Sequence, residues 1–233
     1  MTLWADVLDH DKRIIHKWKH YFPIYERHFK EFVYKPVTLI EIGCGLGGSL
    51  QMWKRYFGPH ARVVGLDIRT ECKKFEEDQV KVYLGEQQDT QFLQKVLSEV
   101  GTPDIVIDDG SHKMSHITAS FQFLYPRMLK NGVYMVEDLH TAYWDEYEGG
   151  LQKPSTFIEL CKNLVDELNA DHTRGALPST EFTKNTMAMH FYDSVVVFER
   201  GIHTKKCDPE IGGSLNKIAW SIRQKLGMGF PPP

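Results

Sequence analysis

The chain has 233 residues, enough for one well-buried domain, and a formal charge of −3 at pH 7 with an isoelectric point near 6.4. This balance, without a basic stripe interleaved with aromatic side chains, argues against a nucleic-acid substrate. The cysteines lack C-x-x-C spacing, which predicts free thiols in a reducing compartment rather than a zinc site or a disulfide framework: Cys44, Cys72, Cys161 and Cys207.

The first 36 residues are predicted to form an N-terminal helical region. From Asp9 to Val33, aromatic and aliphatic side chains recur mostly at three- and four-residue intervals, and Pro23 is expected to kink or split this helix. Core packing against the sheet edge or over a cofactor is the favoured role, with a lid or an oligomer contact as the alternative.

Aspartates near the N-terminus stand where a signal peptide needs an apolar core, and no run is long enough to cross a bilayer. We therefore expect a cytoplasmic protein without membrane contact.

A strand, a glycine turn and a helix are predicted for T-L-I-E-I-G-C-G-L-G-G-S, residues 38–49. Gly43, Gly45 and Gly48 satisfy G-x-G-x-x-G, in which a Cβ would block the sharp turn and the approach of backbone N–H groups to a ligand. These glycines do not choose between NAD and another nucleoside cofactor. Glu41 lies inside the strand and favours a cofactor with a cationic amino-acid moiety, because a carboxylate would repel a pyrophosphate.

Strands and helices then alternate, which predicts a parallel sheet with a ligand crevice at the carboxyl ends of its strands. The predicted strands are Arg62–Ile68, Val80–Leu84, Asp104–Asp108 and Val133–Val136, and the predicted helices are Leu50–Phe57, Thr90–Val100 and Lys113–Leu129. A substrate-facing insertion is expected over 139–186, with a helix that starts at the capping box Thr156-x-x-Glu159 and buries Phe157, Leu160, Leu164, Val165 and Leu168. Met187–Phe191 and Val195–Arg200 are spaced as an antiparallel hairpin, and residues 202–233 are assigned to a C-terminal tail.

Polar side chains follow the ends of the second and third strands. Asp67, 24 residues after Gly43, stands where nucleotide-binding folds hold ribose hydroxyls. Gln87 and Gln88 follow the third strand and are candidates for an adenine edge, whereas capping of the next helix explains Asp89.

An acidic group follows two strands that are joined by a single helical crossover: Asp109, Glu137 and Asp138. Since neighbouring strands lie about 4.8 Å apart, these carboxylates should converge beside the glycine turn, where a divalent cation would relieve their repulsion. Oxygen ligands favour Mg²⁺, or Mn²⁺, over zinc. His112 is a candidate general base for a bound hydroxyl.

The structural alternative for this group is that the carboxylates pair with a lysine or cap a loop, and that His112 makes a capping contact. The metal hypothesis therefore requires that Asp109 lies near Glu137 and Asp138, and that no positively charged side chain fills the gap between them.

Together these stretches resemble the metal-dependent class I S-adenosylmethionine methyltransferases that act on sugar hydroxyls of glycosylated natural products, of the macrolide and tetracenomycin tailoring type. The cephalosporin hydroxylase-like group is similar too. D-D-G-S-H followed by E-D-L-H-T is the specific part of the resemblance, while the glycine turn is common to all class I methyltransferases. The matching motifs are E-I-G-C-G-L-G-G-S (41–49), L-D-I (66–68), G-E-Q-Q-D (85–89), D-D-G-S-H (108–112), V-E-D-L-H-T-A-Y-W (136–144) and H-F-Y-D-S (190–194).

The resemblance implies an α/β, Rossmann-like fold over residues 37–201, with a mostly parallel seven-stranded sheet, a closing antiparallel hairpin and N-terminal helices. It implies S-adenosylmethionine and Mg²⁺ as cofactors, with Asp109, Glu137 and Asp138 as metal ligands and His112 as the base. Cofactor contacts are expected from Glu41, Gly43, Gly45, Ser49, Asp67, Gln87, Gln88 and Asp108.

The implied reaction is O-methylation of a sugar hydroxyl in natural product or polysaccharide biosynthesis, by a homo-oligomer that is a dimer or a tetramer. Two alternatives stay open. One is a metal-dependent methyltransferase acting on a catechol or polyketide phenol, and the other is a non-catalytic nucleoside-binding scaffold whose carboxylates only form salt bridges.

Overall fold

The computed structural model describes residues 2–10, 12–203 and 222. Met1–Ile202 form one compact unit, and of the second unit, His203–Pro233, only His203 and Ile222 are described. The predicted tail and Cys207 therefore lie almost wholly outside the described residues, and the boundary between an N-terminal region 1–36 and a domain 37–201 stays a prediction. Within the described part, no helix combines the length and apolarity that a bilayer crossing requires.

Seven strands form one sheet in the order β3-β2-β1-β4-β5-β7-β6. Strands β1 to β5 pair in parallel, whereas β7 pairs antiparallel with both β5 and β6. This topology confirms the predicted α/β fold with a closing hairpin. The strands are β1 (Val37–Ile42), β2 (Ala61–Asp67), β3 (Val80–Leu84), β4 (Ile105–Asp108), β5 (Val133–Val136), β6 (Thr186–Tyr192) and β7 (Val195–Arg200).

The described α-helices are α1 (Leu3–Leu8), α2 (Phe22–Phe29), α3 (Gly48–Phe57), α4 (Thr90–Val100), α5 (Met114–Leu124), α6 (Phe157–Leu168) and α7 (Glu181–Asn185). Helix α5 is shorter than predicted, because Pro126 has no N–H to continue it and a 3₁₀ turn follows at Tyr125–Arg127. On α6, Phe157, Cys161 and Leu164 face the core, so the adjacent Val165 is rotated outward and is exposed, contrary to the prediction.

The predicted helix from Asp9 to Val33 is wrong in its first half. The described residues 9, 10 and 12–18 form no helix, and regular structure resumes with a 3₁₀ turn at Lys19–Tyr21 followed by α2. Pro23 lies in the first turn of α2, where its missing N–H needs no partner, so it helps to start the helix and does not kink it.

The core lies on both faces of the sheet. On one face α2 and α3 pack together through aromatic rings that are fully buried: Tyr25, Phe29, Trp53 and Phe57. On the other face α4, α5 and α6 pack against the strands through Leu93, Phe121 and Phe157. The predicted core role is thus confirmed for the aromatic face of α2, whereas Ile14 and Trp18 are exposed.

The N-cap of α4 gives a first testable prediction. Asp89 Oδ1 accepts hydrogen bonds from the backbone N–H groups of Gln91 (2.8 Å) and Phe92 (3.2 Å), as the sequence predicted for a cap. We expect Asp89→Ala to lower the free energy of unfolding by about 1 kcal/mol in urea denaturation. Gln91→Ala leaves the cap intact and should change it by less than about 0.5 kcal/mol. Equal losses in the two variants would contradict the capping role.

Candidate active site

A cleft of about 520 Å³ opens at the carboxyl ends of the parallel strands. Several predicted cofactor residues line it: Gly43, Gly45, Ser49, Asp67, Gln87 and Gln88. Asp109, His112 and Asp138 line it as well. Part of the wall comes from the N-terminal segment, through Ile14, His16 and Lys17. The sequence named packing over a cofactor as one role for this region, but it did not single out these three residues.

The glycine turn brings the end of β1 against the loop that follows β4. A Cβ on Gly43 would lie 2.1 Å from the carbonyl oxygen of Asp109, and Gly43 has a φ of +91°. At Gly48, a Cβ would lie 2.2 Å from the carbonyl oxygen of Ile14. The glycines therefore serve two close backbone approaches, and the N-terminus of α3 is left facing the cleft.

Asp67 ends β2 as an ionised acceptor. Its Oδ2 accepts hydrogen bonds from Cys44 N and Arg69 Nη2, both at 2.9 Å, and its Oδ1 accepts from the N (2.9 Å) and Nε (3.1 Å) of Arg69. Burial by itself would raise the pKa of Asp67, but hydrogen bonds from Arg69 and Cys44 lower it to about 2. All four acceptor positions are filled, so a ribose hydroxyl can bind there only if the half-exposed Arg69 side chain shifts.

This carboxylate makes stability depend on pH. The folded-state pKa of Asp67 lies below its ordinary value of 3.8, so its stabilising contribution is present above that value and is lost as the pH falls toward about 2. We expect the difference in unfolding free energy between wild type and Asp67→Asn to be constant near neutral pH and to shrink between about pH 4 and pH 2. Urea denaturation across pH measures it, with the exposed Asp78→Asn as control. A difference that stays constant down to pH 2 would contradict the assignment.

Glu41 does not line the cleft, which differs from the prediction of a direct cofactor contact. It is fully buried, and its carboxylate accepts hydrogen bonds from Ser49 Oγ (2.7 Å) and Trp53 Nε1 (3.2 Å). Side chains inside a strand point to the faces of the sheet, so Glu41 points toward α3 and not over the strand end. Its role in the structure is to fix the first turn of α3.

Asp108 was predicted to contact the cofactor, but it is only 1% exposed and is enclosed behind the cleft wall. Its carboxylate accepts hydrogen bonds from Gln87 Nε2 (3.0 Å) and Ser120 Oγ (2.6 Å), and burial raises its pKa. Gln87 Oε1 in turn accepts the backbone N–H of Ser111 at 2.7 Å. Asp108 therefore positions Gln87, which fixes the loop that carries Asp109 and His112.

Asp109, His112 and Asp138 meet at one end of the cleft. His112 Nε2 lies 3.9 Å from Asp109 Oδ1 and 3.8 Å from Asp138 Oδ2, and the three potential ligand atoms lie within 4.8 Å of one another. His112 and Asp138 both have left-handed backbone conformations, with φ of 58° and 54°. Such conformations cost about 1–2 kcal/mol in a non-glycine residue and are retained where surrounding contacts enforce them, often at functional sites.

A buried lysine, missed by the sequence analysis, fills the gap between Asp109 and Glu137. Lys17 Nζ lies 2.7 Å from Asp109 Oδ2, 3.0 Å from Glu137 Oε2 and 3.1 Å from Glu41 Oε1, and its side chain is 3% exposed. The acidic residues therefore converge as predicted, but the requirement that no positive charge lies between them is not met. Nothing in the spacing of the N-terminal segment distinguishes Lys17 from its neighbouring lysines.

Two tyrosines one helical turn apart support the acidic group. Tyr25 Oη donates to Glu137 Oε1 at 2.8 Å, and Tyr21 Oη donates to Asp138 Oδ1 at 2.7 Å. Glu137 is 1% exposed and does not line the cleft, because Lys17 and Tyr25 enclose it. The i, i+4 spacing of the tyrosines is visible in the sequence, but it predicts only that this region packs on the core or over a cofactor and does not predict hydrogen bonds to the acidic group.

The acidic group has three carboxyl groups against the single ammonium group of Lys17. Burial by itself would lower the pKa of Lys17, but Asp109 and Glu137 hold it well above its usual value, so Lys17 is charged. Burial, together with the charge of Asp109, raises the pKa of Glu137 although Lys17 opposes this. Asp109 and Asp138 each present an oxygen toward His112 in the cleft, and these oxygens fit a divalent cation of the Mg²⁺ type. Glu137 fits as a ligand only if Lys17 moves away.

Comparison with known proteins places these observations in a family context. No protein-family model matches the chain. It is 34% identical over 204 residues to an 8-demethyl-8-(2-methoxy-alpha-L-rhamnosyl)-tetracenomycin-C 3'-O-methyltransferase from Streptomyces olivaceus, an alignment that covers 82% of this chain and 52% of the relative. It is 36% identical over 199 residues to the mycinamicin VI 2''-O-methyltransferase from Micromonospora griseorubida, covering 78% of this chain and 48% of the relative.

A solved structure of the MycE methyltransferase with Mg, SAH and mycinamycin VI superposes with a TM-score of 0.73 at 32% identity, over 84% of this chain and 53% of that one. The chain thus spans about half the length of the curated relatives it matches. By sequence and fold together, the chain belongs with the class I Rossmann-like methyltransferases, as a homologue of the sugar O-methyltransferases of macrolide and tetracenomycin pathways.

Proposed function

We propose that this chain transfers a methyl group from S-adenosylmethionine to a sugar hydroxyl of a glycosylated natural product or saccharide, with Mg²⁺ as a second cofactor, in the cytoplasm. The observation that carries the proposal is the layout of the cleft. The glycine turn and Asp67 lie in the same cleft as Asp109, His112 and Asp138, so a sulfonium donor and a hydroxyl acceptor can meet there. The relatives, named for methylation of glycosylated macrolides and tetracenomycins, support the same reaction.

Each part of the cleft has a defined task in this reaction. Backbone N–H groups at the start of α3 bind the carboxylate of the cofactor, and Asp67 accepts a ribose hydroxyl. Asp109 and Asp138 would hold Mg²⁺, joined by Glu137 if Lys17 moves, and the bound metal orients the acceptor and acidifies its hydroxyl. His112 Nε2 takes the hydroxyl proton as the oxygen attacks the methyl carbon in line, and the methyl–sulfur bond breaks so that S-adenosylhomocysteine leaves as a neutral thioether. Most of the rate enhancement then comes from alignment.

Aromatic side chains beside His112 provide a surface for the acceptor. The Tyr147 ring lies 6.2 Å from the His112 ring, and Trp144 packs on Tyr147 at 6.1 Å while its side chain remains 45% exposed. Partly exposed aromatic faces suit an acceptor that combines polar hydroxyls with apolar carbon faces, as glycosides do. This insertion is therefore the proposed acceptor wall.

The test is incubation with labelled S-adenosylmethionine, Mg²⁺ and a panel of rhamnosides, mannosides and glycosylated aglycones, read by mass spectrometry. We expect a single methyl group on a sugar hydroxyl, loss of transfer in EDTA, and cofactor binding by calorimetry that survives EDTA. Methylation of catechols or polyketide phenols but of no sugar would favour the phenol alternative. Full transfer in EDTA would reject the metal-assisted mechanism.

A second candidate is a non-catalytic nucleoside-binding protein, and the contacts of Lys17 are the observation that favours it. The ion pairs with Glu41, Asp109 and Glu137 satisfy these carboxylates without any metal. S-adenosylmethionine binding without Mg²⁺ binding or turnover would support this candidate. Absence of cofactor affinity would reject both candidates.

The proposal includes a homo-oligomer, either a dimer or a tetramer, and no nucleic-acid partner. Light scattering coupled to size exclusion should give two or four times the mass of the chain. A monomer at micromolar concentration would contradict it.

A further inference from the structure

We infer that Lys17 is a built-in cation that occupies the carboxylate site in the metal-free protein and leaves it when Mg²⁺ binds, so that metal binding and release of segment 12–18 form one linked equilibrium. The inference rests on the proposed function for the identity of the cation. It gives segment 12–18 a role in metal binding, although none of its residues is a proposed metal ligand.

The contacts of Lys17 match those that the acidic group would offer a metal. The Lys17 ammonium group donates hydrogen bonds to Asp109 Oδ2 (2.7 Å) and Glu137 Oε2 (3.0 Å) and forms an ion pair with Glu41 Oε1 at 3.1 Å. Mg²⁺ needs carboxylate oxygens at about 2.0–2.1 Å, so a metal bridging Asp109 and Glu137 would occupy the space of the ammonium group. Two cations at that separation would also repel strongly in a buried site. Lys17 and a metal bridging these two carboxylates therefore exclude each other.

Segment 12–18 is built so that it can be displaced without opening the fold. It lies between α1 and the 3₁₀ turn at Lys19–Tyr21 and belongs to no helix or strand. Ile14 and Trp18 within it are exposed by 65% and 56%, and Lys17 is its deeply buried anchor. A second attachment is Arg13, whose Nη1 donates to Phe75 O at 3.0 Å. Ile15 also packs partly against the core, and the Trp18 ring lies 6.0 Å from the His140 ring. Loss of the Lys17 contacts would therefore loosen the segment around residue 17 while α2 stays packed.

Displacement would also change the cofactor site. Ile14, His16 and Lys17 line the cleft, and the backbone of Ile14 packs on Gly48 at the start of α3. Metal binding at the carboxylates and the shape of the cofactor wall are thereby coupled through a single short segment. If Lys17 only stabilised the fold, Mg²⁺ binding would not change the cofactor wall.

Trypsin provides the first measurement on the wild-type chain, because it cleaves after lysine. In the metal-free protein the Lys17 side chain is buried, so cleavage between Lys17 and Trp18 should be slow. We expect Mg²⁺ to accelerate cleavage at this bond at least fivefold, scored by mass spectrometry of the released peptide. Cleavage after the exposed Lys130 serves as the internal reference and should not change. An unchanged rate at Lys17 in saturating Mg²⁺ would overturn the inference.

Calorimetric titration with Mg²⁺ provides the second measurement. Lys17→Met removes the competing cation and should bind Mg²⁺ at least tenfold more tightly than wild type, whereas Lys12→Met removes an exposed charge from the same segment and should bind as wild type does. Circular dichroism confirms that each variant is folded, and if Lys17→Met is not, the trypsin result on wild type decides alone. Equal or weaker binding by a folded Lys17→Met overturns the inference and leaves the proposed function standing. Absence of Mg²⁺ binding in every variant overturns the inference and the metal-assisted mechanism together.

Discussion

Replacing His112 with alanine should lower the rate of methyl transfer by about 10²–10⁴-fold, because the acceptor hydroxyl then has no general base. His112 Nε2 is the imidazole nitrogen that lies 3.8–3.9 Å from the two carboxylates of the proposed metal site. It lies in the same cleft as the residues proposed to hold the cofactor but is not one of them, so S-adenosylmethionine affinity by calorimetry should change little. We expect kcat to fall and KM for the acceptor to change little, as for an interaction made mainly in the transition state.

Because His112 has a left-handed backbone conformation, a second substitution is needed to separate loss of the base from backbone strain. At a φ of 58°, alanine retains the conformational strain, whereas asparagine tolerates this region better. His112→Asn should therefore be as inactive as His112→Ala but more stable. The exposed His60→Ala is the matched histidine control and should retain full activity. Full activity in both His112 variants would reject the base assignment, and activity retained on phenols alone would favour the phenol alternative.

Gly43→Ala should be the most damaging single-methyl change in the glycine turn. The added Cβ would lie 2.1 Å from the carbonyl oxygen and 2.8 Å from the carbonyl carbon of Asp109, and backbone atoms cannot rotate away as a side chain can. The φ of +91° adds conformational strain. Together these effects predict a loss of about 3 kcal/mol or more in the free energy of unfolding, by urea denaturation.

The matched control lies two residues further along. Gly45 has a φ of +50° but open space around the position of a Cβ, so Gly45→Ala should lose only the conformational term, about 1–2 kcal/mol. Because Gly43 abuts the loop that carries Asp109 and His112, Gly43→Ala should weaken Mg²⁺ binding as well. Equal losses of stability in the two variants would show that the close approach at Gly43 has no energetic role.

The acidic group shows what strand order can and cannot predict. Asp109 and Asp138 meet because β4 and β5 are adjacent parallel strands whose carboxyl ends share one edge of the sheet. That convergence follows from local signals and connection rules. The position of Lys17 does not, since it depends on the path of a segment without regular structure.

The sequence by itself determined the alternation of strands and helices, the glycine turn, the closing hairpin, the convergence of Asp109, Glu137 and Asp138, and the place of His112 beside Asp109. Each of these depends on short-range periodicity, on turn chemistry, or on the rule that parallel strands end at one edge. Only the tertiary structure decided that Glu41 and Asp108 point behind the cleft wall, that segment 12–18 is not helical and that Lys17 enters the acidic group. Lys17 contacts residues that lie 92 and 120 positions further along the chain. Contacts of this kind depend on how the whole fold packs, because no local sequence pattern specifies which distant carboxylates a buried ammonium group will contact.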